Sequence, residues 1–522
     1  MFREKLVDRS RPISAAEMKA IDRNCEAFGV PTLLLMENAG RAVADAVTEA
    51  LGGNVVGKRI AVFTGAGGKA GDGLAASRHL AARGAIVDIY MLTPPDHLGN
   101  EAAKTMYRAV EFSDLSISIR IVKDDTDLPR ELSSYDAVID ALLGIGVRGR
   151  VRYLYRKAIE LINSFQGPRI SIDIPSGIDP DTGEVLGIAV KATVTVTLHR
   201  PKKGLENARE YIGKLIVADI GIPIEAELYV GPGDVELLYR RRPMKCHKGW
   251  AGRVVVIGGS ETYTGAPTLA ALAALRAGAD LAIVVAPRRA ADIAAATSPN
   301  LITVPLPGSR LGLDHTPKIL ELLDRATCVV IGPGLGLDEE TQLAIKTILE
   351  EIDRRGLPTV IDADALKAIA RWRAVPRKAV LTPHTGEFSK LFGVELPEDL
   401  DRRIETVARC AKEIGAVILL KSWIDIVSDG DRVKLNKTHV PAMAVGGTGD
   451  VLSGIVAALI SRGIPLFEAA YLGAFINGLA GCIAYAELGD HILATDIIDR
   501  IPIAIEKSFE MYVKYGQYRR IR

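Results

Sequence analysis

The sequence predicts an α/β protein with two doubly wound domains, an N-terminal Rossmann-like one and a second one built on similar lines, and three observations predict it. Apolar β-branched runs alternate with helical stretches, the pattern of parallel sheets covered on both faces. The alternation starts afresh in the second half of the chain. Gly, Pro and Asp gather directly after the runs, at the carboxyl ends of strands, where ligands sit on such sheets. A chain of 522 residues also exceeds what one hydrophobic core serves.

In the first half the runs are "RIAVFTG" (59–65), "AIVDIYML", "AVIDALLG" and "RISIDIPSG", with the helix-like "DGLAASRHLAARG" after the first. The second half opens on "RVVVIGG" (253–259), then an alanine-rich helix from about Ala266 to Gly278, then "LAIVVAP", "CVVIGPG", "TVIDADA", "AVLTPH" and "AVILLKS". Between them the pattern lapses into Pro, Gly and charge at 231–249, which puts the seam near 235 and the domains at 1–235 and 236–522. Residues 469–486 carry no charge over a length that could span a membrane. Asn477, the repeated glycines and the flanking Glu468 and Glu487 predict instead a helix enclosed by protein, with no membrane partner.

With 65 basic against 64 acidic residues, the net charge of +1 gives no sign of nucleic acid as the main partner. The five cysteines show no CxxC or Cys/His ligand spacing, which argues against a disulfide framework or a zinc site. Together with an opening, "MFREKLVDRSRP", that lacks an apolar leader, this makes a cytoplasmic setting the expectation.

The most specific signal is "AMAVGGTGDVLSG" (442–454). Its glycines end a loop at the start of an apolar helix, so free N–H groups and the helix dipole would face an anion. Asp450 beside that anion hole has the position of a base that takes a proton from a hydroxyl attacking phosphorus. The alternative is a simple helix cap, which would not need Gly446, Gly447 and Gly449 around it. In the first half, "GIGVRG" (144–149) offers backbone N–H groups and Arg148 to a pyrophosphate. Asp140 and Asp173 each follow a β-run, so both carboxylates are expected in one cleft for proton transfer, or else as caps of their loops.

With "GPGLG", "DADAL", "LTPHTGE" and "HKGWAGRVVVIGGS", the Asp450 motif makes roughly residues 245–505 resemble the ribokinase-like NAD(P)HX dehydratases, which repair hydrated NADH and NADPH using ADP or ATP. The resemblance implies Asp450 at the ring hydroxyl, Gly449 at the nucleotide phosphate, and Ala266, Gly334 and His384 in the NAD(P)HX pocket. It puts Lys421, Ser422, Trp423, Ile424 and Asp425 on the adenosine side, though Ser422 stands where a glycine, and Asp425 where a threonine, is typical. Bland alternatives are a satisfied loop histidine for His384 and a plain turn for Gly334. Asp362 and Asp364, at a strand end, either organise Mg2+ or cap the next helix.

Roughly residues 10–225 resemble the NAD(P)HX epimerases, through "GVPTLLLMENAGRAVADAV", "GDGLAASRHLAARG", "DALLGIGVRG", "SIDIPSGID" and "VTVTLHRPKKG". That likeness implies a substrate site at Gly68, Lys69, Ala70, Gly71 and Asp72, at Gly144, Ile145, Gly146, Val147, Arg148 and Gly149, and at Asp173, with a potassium ion on Asp140 and Ser176. The whole chain then reads as an epimerase fused to a nucleotide-dependent dehydratase of NADHX and NADPHX, expected as a homo-oligomer. Two other readings stand beside it: a ribokinase-type kinase of a small alcohol with a regulatory first half, and a non-enzymatic binding scaffold.

Lys69 departs from the epimerase pattern. Related enzymes have two asparagines and a glycine where this chain has Gly68, Lys69 and Ala70, and the second asparagine helps bind potassium. Lysine cannot ligate a cation, but its ammonium could occupy the ion's place against Asp140 and Ser176. It could equally be a solvated loop lysine or meet a substrate phosphate.

Overall fold

A computed structural model describes residues 7–372 and 375–510. It divides into two compact units, one of residues 8–223, the other of the chain from Ile224 onward together with Val7. In the first unit the strands are β1 (Arg59–Thr64), β2 (Ile86–Met91), β3 (Ile117–Ile121), β4 (Ala137–Ala141), β5 (Arg169–Ile172), β6 (Val194–Leu198) and β7 (Lys214–Ala218). They lie in the order β3-β2-β1-β4-β5-β6-β7, every neighbouring pair parallel. The order reverses between β1 and β4, so the loops leaving these two strands diverge and open a crevice between them.

The second unit repeats this with β8 (Arg253–Ile257), β9 (Leu281–Pro287), β10 (Ile302–Leu306), β11 (Cys328–Ile331), β12 (Thr359–Ile361), β13 (Ala379–Leu381), β14 (Val417–Leu420), β15 (Asp425–Ser428) and β16 (Val433–Asn436). Its order is β10-β9-β8-β11-β12-β13-β14-β15-β16, reversing between β8 and β11. β15 and β16 run antiparallel and were not anticipated from the sequence. Along β8, Val254 and Val256 face one apolar core while Val255 and Ile257 face another, and the same split separates Val330 from Val329 and Ile331 on β11. This period of two, with both faces apolar, is why the strands read as unbroken hydrophobic runs.

The seam differs from the one expected at 235. The short helices Glu225–Leu228 and Pro232–Leu238 belong to the second unit. Tyr229 bridges to Leu435, Val230 N–H donates to Leu435 O at 2.9 Å, and Lys434 pairs with Asp234 at 2.9 Å. Val230 and Val235 are fully buried in that unit's core. Punctuation by Pro and Gly had concealed an edge that pairs some 200 residues downstream.

Each unit sets a glycine where its site helix crosses a neighbour. In the first, a Cβ on Gly40 of helix Thr32–Ala50 would stand 2.3 Å from Ala75 Cβ of helix Gly68–Ala82. In the second, a Cβ on Gly454 of helix Thr448–Ser461 would stand 2.1 Å from the Ala270 carbonyl of helix Ala266–Arg276. Only glycine allows these approaches, which fix the depth at which each site helix meets the sheet. The helix Leu466–Leu488 contains the uncharged stretch and is long and apolar enough to cross a membrane, yet 89 % of its apolar window is buried in the second unit.

Candidate active sites

A cavity of about 470 Å³ opens at the β1/β4 crevice, a size suited to a small ligand. Gly68, Lys69 and Asp72 line it from the start of helix Gly68–Ala82, Gly144, Ile145, Gly146 and Val147 from the loop after β4, and Asp173 from the end of β5. Ala70, Gly71, Arg148 and Gly149 are not part of the lining; a Cβ on Gly71 would meet Met36 Sδ at 2.5 Å. Asp173 has a left-handed backbone, φ 62°, an unfavourable conformation for a residue with a side chain and one found mostly where function demands it.

Two residues that the sequence reading passed over complete this site. Lys202, at the end of the "VTVTLHRPKKG" motif, is fully buried and donates to Asp173 Oδ1 at 2.5 Å, Leu198 O at 2.8 Å and Arg200 O at 3.1 Å. Asp22 comes from helix Ala15–Ala27, whose start is fixed by a capping box in which Ser14 and Glu17 each satisfy the other's backbone N–H. Just before it, Ile13 N–H donates to Pro201 O at 2.9 Å, which holds the helix beside Lys202. Burial pushes the Asp22 carboxyl up to about 7; Lys202 opposes that and Asp173 adds to it. Burial, then Asp173 and Asp22, likewise hold Asp72 well above the carboxylate range.

Asp140 meets Lys69 and Ser176, as the sequence suggested, but does not line the cleft in which proton transfer was expected of it. Its carboxylate lies outside the cavity lining, 1 % exposed, accepting from Ser171 Oγ (2.8 Å), Ser176 N (2.8 Å), Ser176 Oγ (2.5 Å) and Leu142 N (3.2 Å). The fifth donor is Lys69 Nζ at 3.1 Å. With every lone pair engaged, the carboxylate holds loops together and is not free to move a proton at a ring. Burial lowers the Lys69 ammonium from its ordinary range, and Asp140 chiefly opposes that.

In the second unit Asp450 lies in the first turn of helix Thr448–Ser461, whose cap Gly447 has φ 94°. Burial and the charge of Asp362 raise its carboxyl to about 7, with Lys421 opposing. Lys421 Nζ donates to Asp362 Oδ1 at 3.0 Å. A Cβ on Gly449 would stand 3.1 Å from that Nζ, so the bare glycine leaves the ammonium open to the helix start. Asp362 and Asp364 flank Ala363, φ 48°; Asp364 accepts from Gly336 N (2.9 Å) and Lys367 Nζ (2.8 Å).

Ala266 and Gly334 come together at the β8/β11 reversal, where a Cβ on Gly334 would lie 3.3 Å from Ala266 Cβ. His384 Nδ1 accepts from Gly386 N (3.0 Å) and Glu387 N (3.3 Å), so it caps helix Thr385–Phe392 and its other ring nitrogen carries the proton. The His384 backbone bridges to Lys421. Asp425 closes the "KSWID" loop, accepting from Ser422 N at 3.0 Å and Asn436 Nδ2 at 2.9 Å, while Trp423 is exposed and Ile424 buried.

Two largely parallel sheets, one with Asp22 and Asp173 at a strand-end cavity and the other with Asp450 at a glycine-framed helix start beside Lys421 and Asp362, are the arrangement of a two-site enzyme. The family described as YjeF-related protein N-terminus matches residues 32–204, and that described as NAD(P)H-hydrate dehydratase matches residues 254–503. A bifunctional NAD(P)H-hydrate repair enzyme from Hyperthermus butylicus is 46 % identical over 98 % of this chain and 95 % of its own. One from Pyrobaculum aerophilum is 47 % identical over 95 % and 98 %. The chain belongs to the family of bifunctional NAD(P)H-hydrate repair enzymes. Among solved structures, the ADP/ATP-dependent NAD(P)H-hydrate dehydratase from Bacillus subtilis, co-crystallised with ATP and Mg2+, is 25 % identical with a TM-score of 0.48, and spans 54 % of this chain and 98 % of its own.

Proposed function

We propose that the first unit epimerises (R)- and (S)-NAD(P)HX and that the second dehydrates the (S) epimer to NADH or NADPH with ADP or ATP, in a cytoplasmic homo-oligomer. The observation that carries this reading is Asp450, a carboxyl poised near 7 at a glycine-framed helix start. It takes the proton of the ring hydroxyl as that oxygen attacks the terminal phosphorus and the phosphoanhydride bond breaks. The phosphate then leaves with the C–O electron pair while a proton is lost from the adjacent ring carbon, which forms the ring double bond. Gly449 and the helix N–H groups receive the transferring phosphate, with Lys421 beside them.

Among the described residues no three carboxylate, His or Cys groups converge closely enough to hold a metal unaided. Asp362 and Asp364, near Asp450, suit a magnesium ion that arrives on the nucleotide phosphates, where it supplies charge neutralisation. Ala266, Gly334 and His384 are assigned to the hydrated ring and Lys421 to Asp425 to the adenosine side.

In the first unit, inversion at the hydroxyl-bearing carbon requires its C–O bond to break and re-form on the other face. The oxygen accepts a proton and leaves as water while the ring nitrogen's lone pair forms a C=N bond, and water then adds to the opposite face and gives a proton back. Asp22, near 7, can do both at neutral pH, and Lys202 fixes Asp173 beside it. Asp140 is thereby reassigned from proton transfer to holding the loops.

The test is to incubate the protein with NADHX and ADP or ATP and follow the return of NADH absorbance and the release of phosphate, with epimer equilibration measured separately without nucleotide. NADH appearing with one phosphate per turnover is expected. A stable phosphorylated product without NADH would replace this reading by a small-molecule kinase.

A further inference from the structure

The family resemblance implies potassium at Asp140 and Ser176, and the residues present do not fit that ion. Lys69 Nζ stands among Ile174 O (2.8 Å), Ser176 Oγ (3.0 Å), Asp140 Oδ2 (3.1 Å) and Leu143 O (3.2 Å). Two carbonyls, a hydroxyl that turns its own proton toward Asp140 and a carboxylate present four oxygen lone pairs to one point, a cage that calls for one positive charge. The ammonium supplies it, and with Asp140 the local charge closes to zero. Both side chains are buried, at 3 % and 1 % exposed, so neither can turn to solvent to admit a second cation. An added ion would have to share its ligands with the ammonium at about the same point, with like-charge repulsion undiluted by water.

The tether is firm. Lys69 is the second residue of helix Gly68–Ala82, and its stem runs along the next loop, a Cβ on Gly144 falling 3.4 Å from Lys69 Cβ. From one side of the crevice it therefore ties the loops after β4 and β5 on the other, the loops that shape the cavity.

We propose that the Lys69 ammonium takes the place of the monovalent cation, so that the first site is complete without potassium. Lys69 is thus a positioning residue that holds the pocket's loops through a built-in charge. The activity arm of its test rests on the epimerase reading of this unit; the diffraction arm does not.

The full-length protein, exchanged into choline chloride, is assayed for NADHX epimer equilibration with and without potassium chloride at matched ionic strength, and crystals grown in rubidium chloride are searched for anomalous scattering beside Asp140. For the wild-type protein the expected results are rates equal within about twofold and no rubidium peak at that position. Lys69→Asn, which restores the family's ligand, is expected to bind rubidium there and to gain about tenfold or more in rate from potassium. A wild-type rate that rises about tenfold with potassium, or a rubidium peak beside Asp140 in the wild-type crystal, overturns the proposal. Both wild-type arms decide the matter even if Lys69→Asn fails to fold. A protein without epimerase activity in either salt refutes the epimerase reading, and the diffraction arm still judges the ammonium.

Discussion

Each unit holds a lysine ammonium about 3 Å from an aspartate at a strand end, Lys69 with Asp140 in the first and Lys421 with Asp362 in the second. Lys69 is 3 % exposed and its carboxylate partner accepts five hydrogen bonds; Lys421 is 22 % exposed and faces the bare backbone of Gly449. The same pair serves two purposes according to what surrounds it. Closed on all sides it is a fastener, and open on one side it leaves the ammonium accessible, as the proposed phosphate site requires. Burial, more than the chemistry of the two side chains, sets the difference.

The comparison breaks most readily at the closed pair. Lys69→Met is expected to destabilise the first unit by about 3–5 kcal/mol, since it strands a buried carboxylate. Lys421→Met also strands one, Asp362 at 2 % exposed, but water can reach it through the side on which Lys421 is open, so the loss in the second unit is expected to be smaller, about 2–3 kcal/mol. Denaturant unfolding of the two variants measures both; equal losses would show that the pairs are alike. Next in size is Asp450→Asn, for which dehydration falls about a hundredfold or more while epimerisation is unchanged. Coupled NADH and epimer assays separate the two.

A subtler effect concerns pH. Asp450 is raised from 3.8 to about 7, so its ionised form is disfavoured in the native state and stability is lost as pH rises through that interval. Allowing for partial exposure, Asp450→Asn should therefore stabilise the second unit by about 2 kcal/mol at pH 8 and by nothing at pH 3, a trade of stability for a usable base. Wild-type dehydration is expected to rise with pH toward a plateau above about 7, as Asp450 ionises. Smallest is Gly449→Ala, whose methyl would crowd Lys421 Nζ at 3.1 Å and raise the KM for nucleotide about tenfold with less effect on kcat. No change in that KM would remove Lys421 from the phosphate's path.

Much of this was legible in the sequence because glycines and aspartates after apolar runs can only fall at strand ends. The strand-end loops and Lys69 stood out that way, and Asp450 through the glycines at its helix start, whereas the β1/β4 and β8/β11 crevices follow from the strand order, which no local pattern shows. Asp22 did not stand out, because it precedes the first strand on an ordinary amphipathic helix and becomes special only through the pairing of Ile13 with the loop of Lys202. Between proton transfer, a loop cap and an ion site the sequence could not choose for Asp140, because the residue type tells nothing of how many donors surround it. The left-handed backbones of Asp173 and Ala363 were not legible either, since aspartate tolerates positive φ better than most residues without requiring it, and alanine has no such leaning. The seam was displaced for a kindred reason, as the partner of Tyr229 is Leu435, beyond the reach of any local pattern.

The enclosed apolar helix Leu466–Leu488 has a consequence for how the chain is made. It rests on β13 to β16 and helix Thr448–Ser461, with Gly473 against Val456 and Gly478 against the Thr438 carbonyl, while the turn Gly489–His491 and helix Ala494–Phe509, which pack on it too, come later. A chain emerging from the ribosome amino end first, at roughly 5–20 residues per second, completes the sheet side of that receiving surface before the most water-averse segment appears. Order of synthesis thus shortens the time in which this stretch is naked, and a circular permutant that placed it first would lengthen that time at every round of translation.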